Sequence, residues 1–324
     1  MKRVLIIVLG VVMLALGGCS SPGDTKEREV RIGIMLSDVG LGDQSFSDSA
    51  FQGLIKARDG LGVRFDYREI SETQTYEIGI EELVRAGNDL VVGLGFMSQE
   101  SLESVAKRYP KQKFLLIDSV SELENVHSLT FKEDEGSFLI GVLAALKSRS
   151  GHVGFIGGVD APVIRNFYNG YVQGVHAVKP DAKISLAFAE DFGNPDKGAE
   201  LARQMIAQGA DVLYPAAGLT GVGALKEAQA KGVLAFGVDS DQFAVAEKAV
   251  VSSMLKHIDE GMYQVAKMLT DQGALPDRQL SLGLKDNGVG IAPVRVVTLS
   301  EQESAKLESL KRDLIEQKIQ IGSR

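Results

Sequence analysis

The feature of this sequence that most limits its fold is the regular alternation of short aliphatic runs with amphipathic helical patterns. Runs such as 90–94 (LVVGL) and 114–117 (FLLI) are continuously apolar, which is typical of strands buried on both faces of a sheet. Strands are predicted at 30–36, 65–70, 90–94, 114–117, 126–131, 153–156, 184–188, 212–214, 234–238 and 294–299. The clearest helical stripe between them consists of Leu255, Ile258, Met262, Val265, Ala266 and Leu269. This alternation predicts an α/β fold of parallel sheets flanked by helices.

The strand–helix units fall into two sets, from 30 to about 131 and from about 151 to 239. A chain of 324 residues also favours two lobes over one, so we expect two doubly wound parallel-sheet lobes. The predicted division is 30–131 plus 251–282 for lobe 1, and 132–250 plus 283–324 for lobe 2. The chain would then cross between the lobes near 132–135, 241–250 and 282–294. At the start of the last helix, Ser300 and Glu303 predict a capping box.

Unusual polar residues follow several of the predicted strands. Asp38, Asp118 and Asp239 each stand at a strand end, and a glycine-rich turn at 218–223 follows another strand. Ligands of doubly wound sheets lie outside the carboxyl ends of the strands. We therefore expect acidic and glycine-rich strand ends from both lobes to face one another across a cleft that suits a polar, hydroxyl-rich small molecule.

The N-terminus has the layout of a secretory signal. Lys2 and Arg3 precede an apolar run at 4–16, which is too short for a comfortable membrane span, and small residues then lead to Cys19. This arrangement resembles a bacterial lipobox, which implies cleavage after residue 18 and a lipid on Cys19. The polar segment 19–29 would be a flexible tether that leaves the protein on the outer face of a membrane. The alternative is an ordinary cleaved signal with an incidental cysteine.

Composition excludes several classes of function. The net charge of −8 argues against a nucleic-acid partner, and the one cysteine permits no disulfide. Enzymes are the main rival class, but the four histidines, His127, His152, His176 and His257, show no metal-ligand spacing. The glycine turn lacks the Lys-Ser/Thr of a phosphate-binding loop, and no nucleophile elbow is present. We therefore expect a monomeric binding protein without a cofactor, a metal or catalytic residues.

Five segments resemble the signatures of the basic membrane protein family. They are 38–48 (DVGLGDQSFSD), 217–223 (AGLTGVG), 237–242 (GVDSDQ), 252–256 (SSMLK) and 283–290 (GLKDNGVG). The segments occur in the family's order and span nearly the whole chain after the signal. The resemblance implies a type I periplasmic-binding-protein fold with a three-strand hinge. It also implies the substrate-binding lipoprotein of an ABC importer, similar to purine nucleoside receptors, with permease subunits as partners.

The resemblance also implies roles for individual residues. Phe46 and Tyr214 would stack on the base, and Asp38 would meet donors on its edge. Asp118 and Asp239 would accept hydrogen bonds from ribose hydroxyls, while Lys256 would donate to the ligand or hold Asp239 in place. The remaining expected contacts are Ser45 and Gly218. A lysine near a helix start is electrostatically unfavourable, so Lys256 is predicted to have a specific partner.

The sequence departs from the family pattern at three positions. Gly42 stands where the family commonly has Asn, Gln44 where it has Lys, and Ser47 where it has Asn. The loss of an amide at position 42 leaves the base preference open. Two rival functions also stay open, namely a sensory or regulatory lipoprotein of the same fold and a receptor for a sugar-like ligand. Asp43 and Asp48 are better explained as turn and helix-cap residues than as ligand contacts.

Overall fold

The computed structural model describes residues 29–275 and 277–322. The signal, Cys19 and most of the predicted tether lie outside these residues. Within the described ranges, no helix combines the length and the apolar character needed to cross a membrane. The described chain forms two lobes, each built on a six-stranded sheet.

The first lobe has a fully parallel sheet. Its strands are β1 (Arg31–Met35), β2 (Arg64–Arg68), β3 (Leu90–Leu94), β4 (Lys113–Ile117), β5 (Val126–Phe131) and β11 (Gln279–Leu282). They lie in the order β11-β5-β4-β3-β1-β2. The helices of this lobe are α1 (Phe46–Leu61), α2 (Ile70–Thr73), α3 (Tyr76–Arg85), α4 (Gln99–Arg108) and α9 (Ile258–Gln272). A short 3-10 helix, Phe96–Ser98, precedes α4.

The second lobe repeats the same strand order. Its strands are β6 (His152–Gly157), β7 (Lys183–Phe188), β8 (Val212–Ala216), β9 (Leu234–Asp239), β10 (Val250–Lys256) and β12 (Val289–Ile291). The order is β12-β10-β9-β8-β6-β7, and only β12 pairs antiparallel with its neighbour among these described strands. The helices are α5 (Glu133–Lys147), α6 (Pro162–Val178), α7 (Pro195–Ala207), α8 (Gly218–Lys231) and α10 (Glu301–Ile315), with a 3-10 helix at Gln242–Val245. The prediction of two parallel-dominated sheets with alternating helices is confirmed.

The described chain passes between the two sheets three times. It leaves the first sheet after β5, returns after β10, and leaves again between β11 and β12. The predicted second crossing at 241–250 and the lobe boundary at 251 differ from this course. β10 pairs in parallel with β9 in the second sheet, so the return lies at His257. The error arose because Leu255 extends the helical stripe of α9, although it belongs to the strand.

Two local predictions near the C-terminus have different outcomes. Residues 294–299 form no strand, and the strands β11 and β12 were missed because each is short and lies at a sheet edge. The capping box is confirmed, since Ser300 accepts from the Glu303 backbone and the Glu303 side chain accepts from the Ser300 backbone.

The helices α5 and α6 approach so closely that glycine is needed at their contact. A Cβ atom on Gly170 would lie 2.1 Å from the Asp134 carbonyl oxygen, and one on Gly174 would lie 2.0 Å from that of Phe138. Helix axes come this near only where side chains are absent. The contact fixes α5, whose N-terminus begins directly beside the first crossing.

Candidate functional site

A cavity lies between the two lobes at the carboxyl ends of the strands. It encloses about 650 Å³, including the part open to solvent. Of the predicted ligand contacts, Asp38, Phe46, Asp118, Gly218, Asp239 and Lys256 line it. The structure therefore brings six residues together from positions as far apart in sequence as 38 and 256. Ser45 and Tyr214 are not among the lining residues.

Two aspartates occupy equivalent strand ends in the two lobes. Asp118 follows β4 and Asp239 ends β9, and these strands hold the same place in the two sheet orders. Both residues have left-handed backbones, with φ of 63° and 62°. A residue with a Cβ atom pays a steric cost in this region, and such strain is concentrated at functional sites. The repeated conformation aims one carboxylate from each lobe into the cavity.

Lys256 is the centre of a buried ion network beside the cavity. Its side chain is 1% exposed, and its Nζ lies 2.5 Å from Asp118 Oδ2 and 3.0 Å from Glu133 Oε1. The rings of Phe46 and Phe167 stand 5.3 and 5.4 Å from the same ammonium. Burial opposes its charge, but the carboxylates of Asp118, Glu133 and Asp239 outweigh that effect and raise the pKa of Lys256. Lys256 is therefore charged, and its direct partners are Asp118 and Glu133 rather than Asp239.

Asp118 has one carboxylate oxygen without a partner in the described chain. Its Oδ1 is buried and has no hydrogen-bond partner among the described residues. A buried acceptor without a partner costs about 1–3 kcal/mol. A ligand hydroxyl at this place would remove that cost.

Asp239 is shared between the cavity and the opposite lobe. The Ser45 hydroxyl donates to Asp239 Oδ2 at 2.6 Å, and nearby the Gln242 amide donates to the Gln44 carbonyl at 3.1 Å. Burial raises the pKa of Asp239, while Lys256 and the Ser45 hydroxyl counteract that effect. Ser45 is thus a contact between the lobes.

Asp38 and Tyr76 are polar residues of the first lobe that line the cavity. Burial raises the pKa of Asp38, and the carboxylate of Asp191 on the other lobe adds to that effect. The buried Tyr76 hydroxyl has no hydrogen-bond partner among the described residues, and burial raises its pKa. These two residues bring a carboxylate and a hydroxyl to the cavity lining, where polar groups of a ligand could contact them.

Aromatic rings cover the cavity from both lobes. Phe46 and Phe96 come from the first lobe, while Phe167 and Phe192 come from the second. Tyr214, predicted to stack on the ligand, instead lies wholly in the core among Phe155 and Tyr171, with its hydroxyl 3.1 Å from that of Ser137. Tyr214 lies within β8 rather than after it, and α5 packs against this strand. Its ring therefore belongs to the core and not to the cavity.

The loop at 41–48 is tied together by two aspartates. The Asp43 carboxylate accepts from the backbone N–H groups of Ser45, Ser47 and Asp48, although it also borders the cavity. Burial raises its pKa to about 6 against the effect of these bonds. Asp48 accepts from the backbone of Gly42 and Gln44. These contacts agree with the predicted turn and cap roles and hold Phe46 at the cavity.

Sequence reasoning missed Phe167, Phe192, Tyr76 and Glu133. Phe192 follows β7, so the rule that selected the strand-end aspartates would also have found it. Phe167 and Tyr76 belong to helical patterns, where aromatic residues are ordinarily core. Glu133 gave no signal, because an acidic residue in the first turn of a helix is expected in any case.

The chemistry that this arrangement permits is recognition by stacking and hydrogen bonding. Across the described ranges, no group of three or more His, Cys, Asp or Glu residues is placed to hold a metal ion. The cavity provides aromatic faces, carboxylate acceptors and a lysine whose charge is neutralised by its neighbours. A flat ring system that carries hydroxyl donors fits this set.

Comparison with known proteins shows the family of this chain. The model of the Bmp family, described as "ABC transporter substrate-binding protein PnrA-like", matches residues 30–324. The chain is 29% identical to "ABC transporter nucleoside-binding protein BmpA" of Lactococcus lactis, with all of both chains covered. It is 32% identical to "Uncharacterized lipoprotein PYRAB04520" of Pyrococcus abyssi, over 96% of this chain and 82% of the other.

Solved structures give the same result for the fold. An ABC transporter solute-binding protein from Aeropyrum pernix superposes with a TM-score of 0.82 and is 29% identical, over 91% of this chain and 94% of that one. A second solute-binding protein, from Conexibacter woesei, has a TM-score of 0.72 at 22% identity, over 91% of this chain and 99% of that one. The predicted resemblance and the predicted type I fold are confirmed.

Proposed function

We propose that this chain, which belongs to the Bmp family of PnrA-like ABC transporter substrate-binding proteins, binds a purine nucleoside between its lobes. The cavity carries this proposal, because aromatic rings from both lobes border a space that is also lined by Asp118, whose buried Oδ1 has no partner among the described residues. Stacking contributes roughly 1–3 kcal/mol per base and tolerates different bases. The aspartates of the two lobes would accept from the ribose hydroxyls. The name of the Lactococcus lactis relative supports this ligand class.

Hinge closure would deliver the ligand, with no chemistry in this subunit. The contacts Ser45–Asp239 and Gln44–Gln242 join the lobes across the cleft. Opening would break both contacts and expose the cavity to solvent, as in hinged binding proteins generally. The closed lobes together would form the surface that an ABC permease recognises.

The anchor belongs to the same proposal. Lipid on Cys19 would hold a monomeric receptor at the outer face of the cell membrane, within reach of the permease. Each buried methylene contributes about 0.8 kcal/mol, so two or three acyl chains are retained far better than one. The printed name of the Pyrococcus abyssi relative, a lipoprotein, supports the anchor.

A ligand screen tests the proposal directly. The full-length protein in detergent is titrated calorimetrically with inosine, guanosine, adenosine, cytidine, the free bases, ribose and other sugars. We expect a purine nucleoside to bind more tightly than its base or ribose alone, because only the nucleoside uses both the rings and the aspartates. A ligand at about 100 times its dissociation constant adds about 2.7 kcal/mol of stability, so thermal unfolding gives an independent measure. Binding of a plain sugar alone would contradict the nucleoside assignment.

A glycine behind Phe192 provides a test of the aromatic contact. The structure allows no side chain at Gly158, since a Cβ atom there would lie 2.1 Å from the Phe192 ring. Gly158→Ala should displace the ring and weaken nucleoside binding by about tenfold or more, equivalent to about 1.4 kcal/mol. Isothermal calorimetry measures the change.

Gly193→Ala, next to Phe192 in the loop between β7 and α7, is the matched control. A Cβ atom on Gly193 would meet its nearest neighbour, an oxygen of Asp191, at 3.5 Å, which is an ordinary contact. We expect this variant to bind as the original protein does. Equal affinity of the Gly158 variant and this control would show that the Phe192 ring does not touch the ligand.

A further inference from the structure

Glu133 is a buried carboxylate that the cavity itself does not use. It is the first residue of α5, directly after the first crossing, and its side chain is 3% exposed. It is not among the cavity-lining residues, yet its Oε1 lies 3.0 Å from Lys256 Nζ. Burying a carboxylate is costly unless it is paired, so its place beside Lys256 calls for a physical reason.

Lys256 connects Glu133 to the cavity. The ammonium carries three donors and no acceptor. One donor reaches Asp118 Oδ2 and another reaches Glu133, while Asp118 Oδ1 is buried without a partner among the described residues. Without Glu133, the ammonium would be held by the cavity aspartates alone. It would then compete with a ligand for the acceptors of Asp118 and Asp239.

Two of these residues, Glu133 and Lys256, lie at the hinge. Glu133 follows the first crossing at Lys132, and Lys256 precedes the second crossing at His257. Asp118 comes from the first lobe, at the end of β4. A ligand held by Asp118 is thus linked through one lysine to two of the three crossings in the described chain.

We propose that Glu133 is a positioning residue for ligand binding, which holds Lys256 against Asp118 so that the second Asp118 oxygen remains free for a ligand hydroxyl. This inference rests on the proposed function for its ligand. The contact between Glu133 and Lys256, in contrast, can be tested without any ligand.

A double-mutant cycle tests whether Glu133 acts through Lys256. The variants are Glu133→Gln, Lys256→Met and the two combined, and the probe is inosine. Glu133→Gln should weaken inosine binding by about tenfold or more. In the Lys256→Met background the same change should alter affinity by less than about twofold, because a residue that acts only through Lys256 has no further effect once Lys256 is gone.

The ligand-free arm of the cycle is urea unfolding. Glu133→Gln should lower the urea midpoint in the original protein, because it removes one partner of the buried ammonium. In the Lys256→Met background it should raise the midpoint, because it removes a buried carboxylate that has lost its cation. A purely packing role for Glu133 would lower the midpoint in both backgrounds and would overturn the inference.

Asp134→Asn serves as the control for charge at the start of α5. Asp134 is the next residue of the helix, and its Oδ1 accepts from the backbone of Glu135 rather than from Lys256. It should leave inosine affinity unchanged, and a loss equal to that of Glu133→Gln would overturn the specific role. If the original protein binds no nucleoside but the urea cycle changes sign, the proposed ligand is wrong and the positioning of Lys256 stands. If inosine binds and Glu133→Gln leaves its affinity unchanged, the positioning inference fails and the proposed function stands.

Discussion

Lys256→Met is expected to lower the free energy of unfolding by about 3–5 kcal/mol at neutral pH. The substitution keeps most of the apolar stem but removes the charge that faces Asp118 and Glu133. Both carboxylates would remain buried without a cation, and Asp239 would lose a nearby positive charge. Urea unfolding monitored by circular dichroism measures the change.

The size of this loss should depend on pH. Burial raises the pKa of Glu133, and the ammonium of Lys256 opposes that effect. Without Lys256 this opposition is lost, so the folded variant keeps a proton on Glu133 to a higher pH than the folded original protein does. Over the range where only the folded variant still holds that proton, its stability falls relative to the original protein as the pH rises. The deficit of the variant should therefore be larger near about pH 8 than near about pH 5.

Lys56→Met is the matched control for this prediction. Lys56 also pairs with a glutamate, Glu260, but both side chains are nearly half exposed. Exposed ion pairs contribute little to stability because water screens them, so this variant should unfold almost as the original protein does. If both lysine variants lose equally little free energy of unfolding, the contacts of Lys256 with Asp118 and Glu133 do not contribute the stability inferred from their burial.

Gly174→Ala is the second change with a large expected effect. The new Cβ atom would lie 2.0 Å from the Phe138 carbonyl oxygen, and backbone atoms of a buried helix cannot move aside cheaply. We expect a loss of about 3 kcal/mol or more in the free energy of unfolding, at the upper end of what overpacking usually costs. Because α5 carries Glu133 at its start, the displaced helix should also weaken ligand binding. Urea unfolding and calorimetry measure the two effects.

Gly60→Ala gives the opposite expectation in a helix of similar length. A Cβ atom on Gly60 would meet only Tyr263, at 3.5 Å. Its main effect is to restrict the unfolded chain, so the variant should be more stable by about 0.4–1 kcal/mol. A loss in both variants would mean that helical glycines in this protein matter for some reason other than the contact between α5 and α6.

Local sequence patterns were sufficient where the physical cause is itself local. The aliphatic runs at 90–94 and 114–117 form buried strands because every side chain in them is apolar, whichever way the strand faces. The capping box at Ser300 depends on atoms only three residues apart. The strand-end aspartates were found by a general property of parallel sheets, whose carboxyl ends meet at one edge.

Other features required the folded chain. The strand at Val250–Lys256 was not among the predicted strands, because Leu255 fits the helical stripe, and only pairing with β9 fixes it as a strand. Tyr214 shows the same limit, because it lies within β8 and the packing of α5 against that strand leaves its ring in the core. Phe192 differs, because it follows β7 and the strand-end rule would have found it.

The sequence by itself determined the alternation of strands and helices, the two lobes and the residues that stand at the strand ends. These features follow from the pattern of apolar and polar side chains within each strand or helix, and that pattern depends only on residues close together in the sequence. The tertiary structure alone decided that Lys256 pairs with Asp118 and Glu133, and that Ser45 contacts Asp239 from the opposite lobe. These partners are far apart in the chain, so the sequence does not show which of them meet. A buried charge is tolerated only where the fold places a partner beside it.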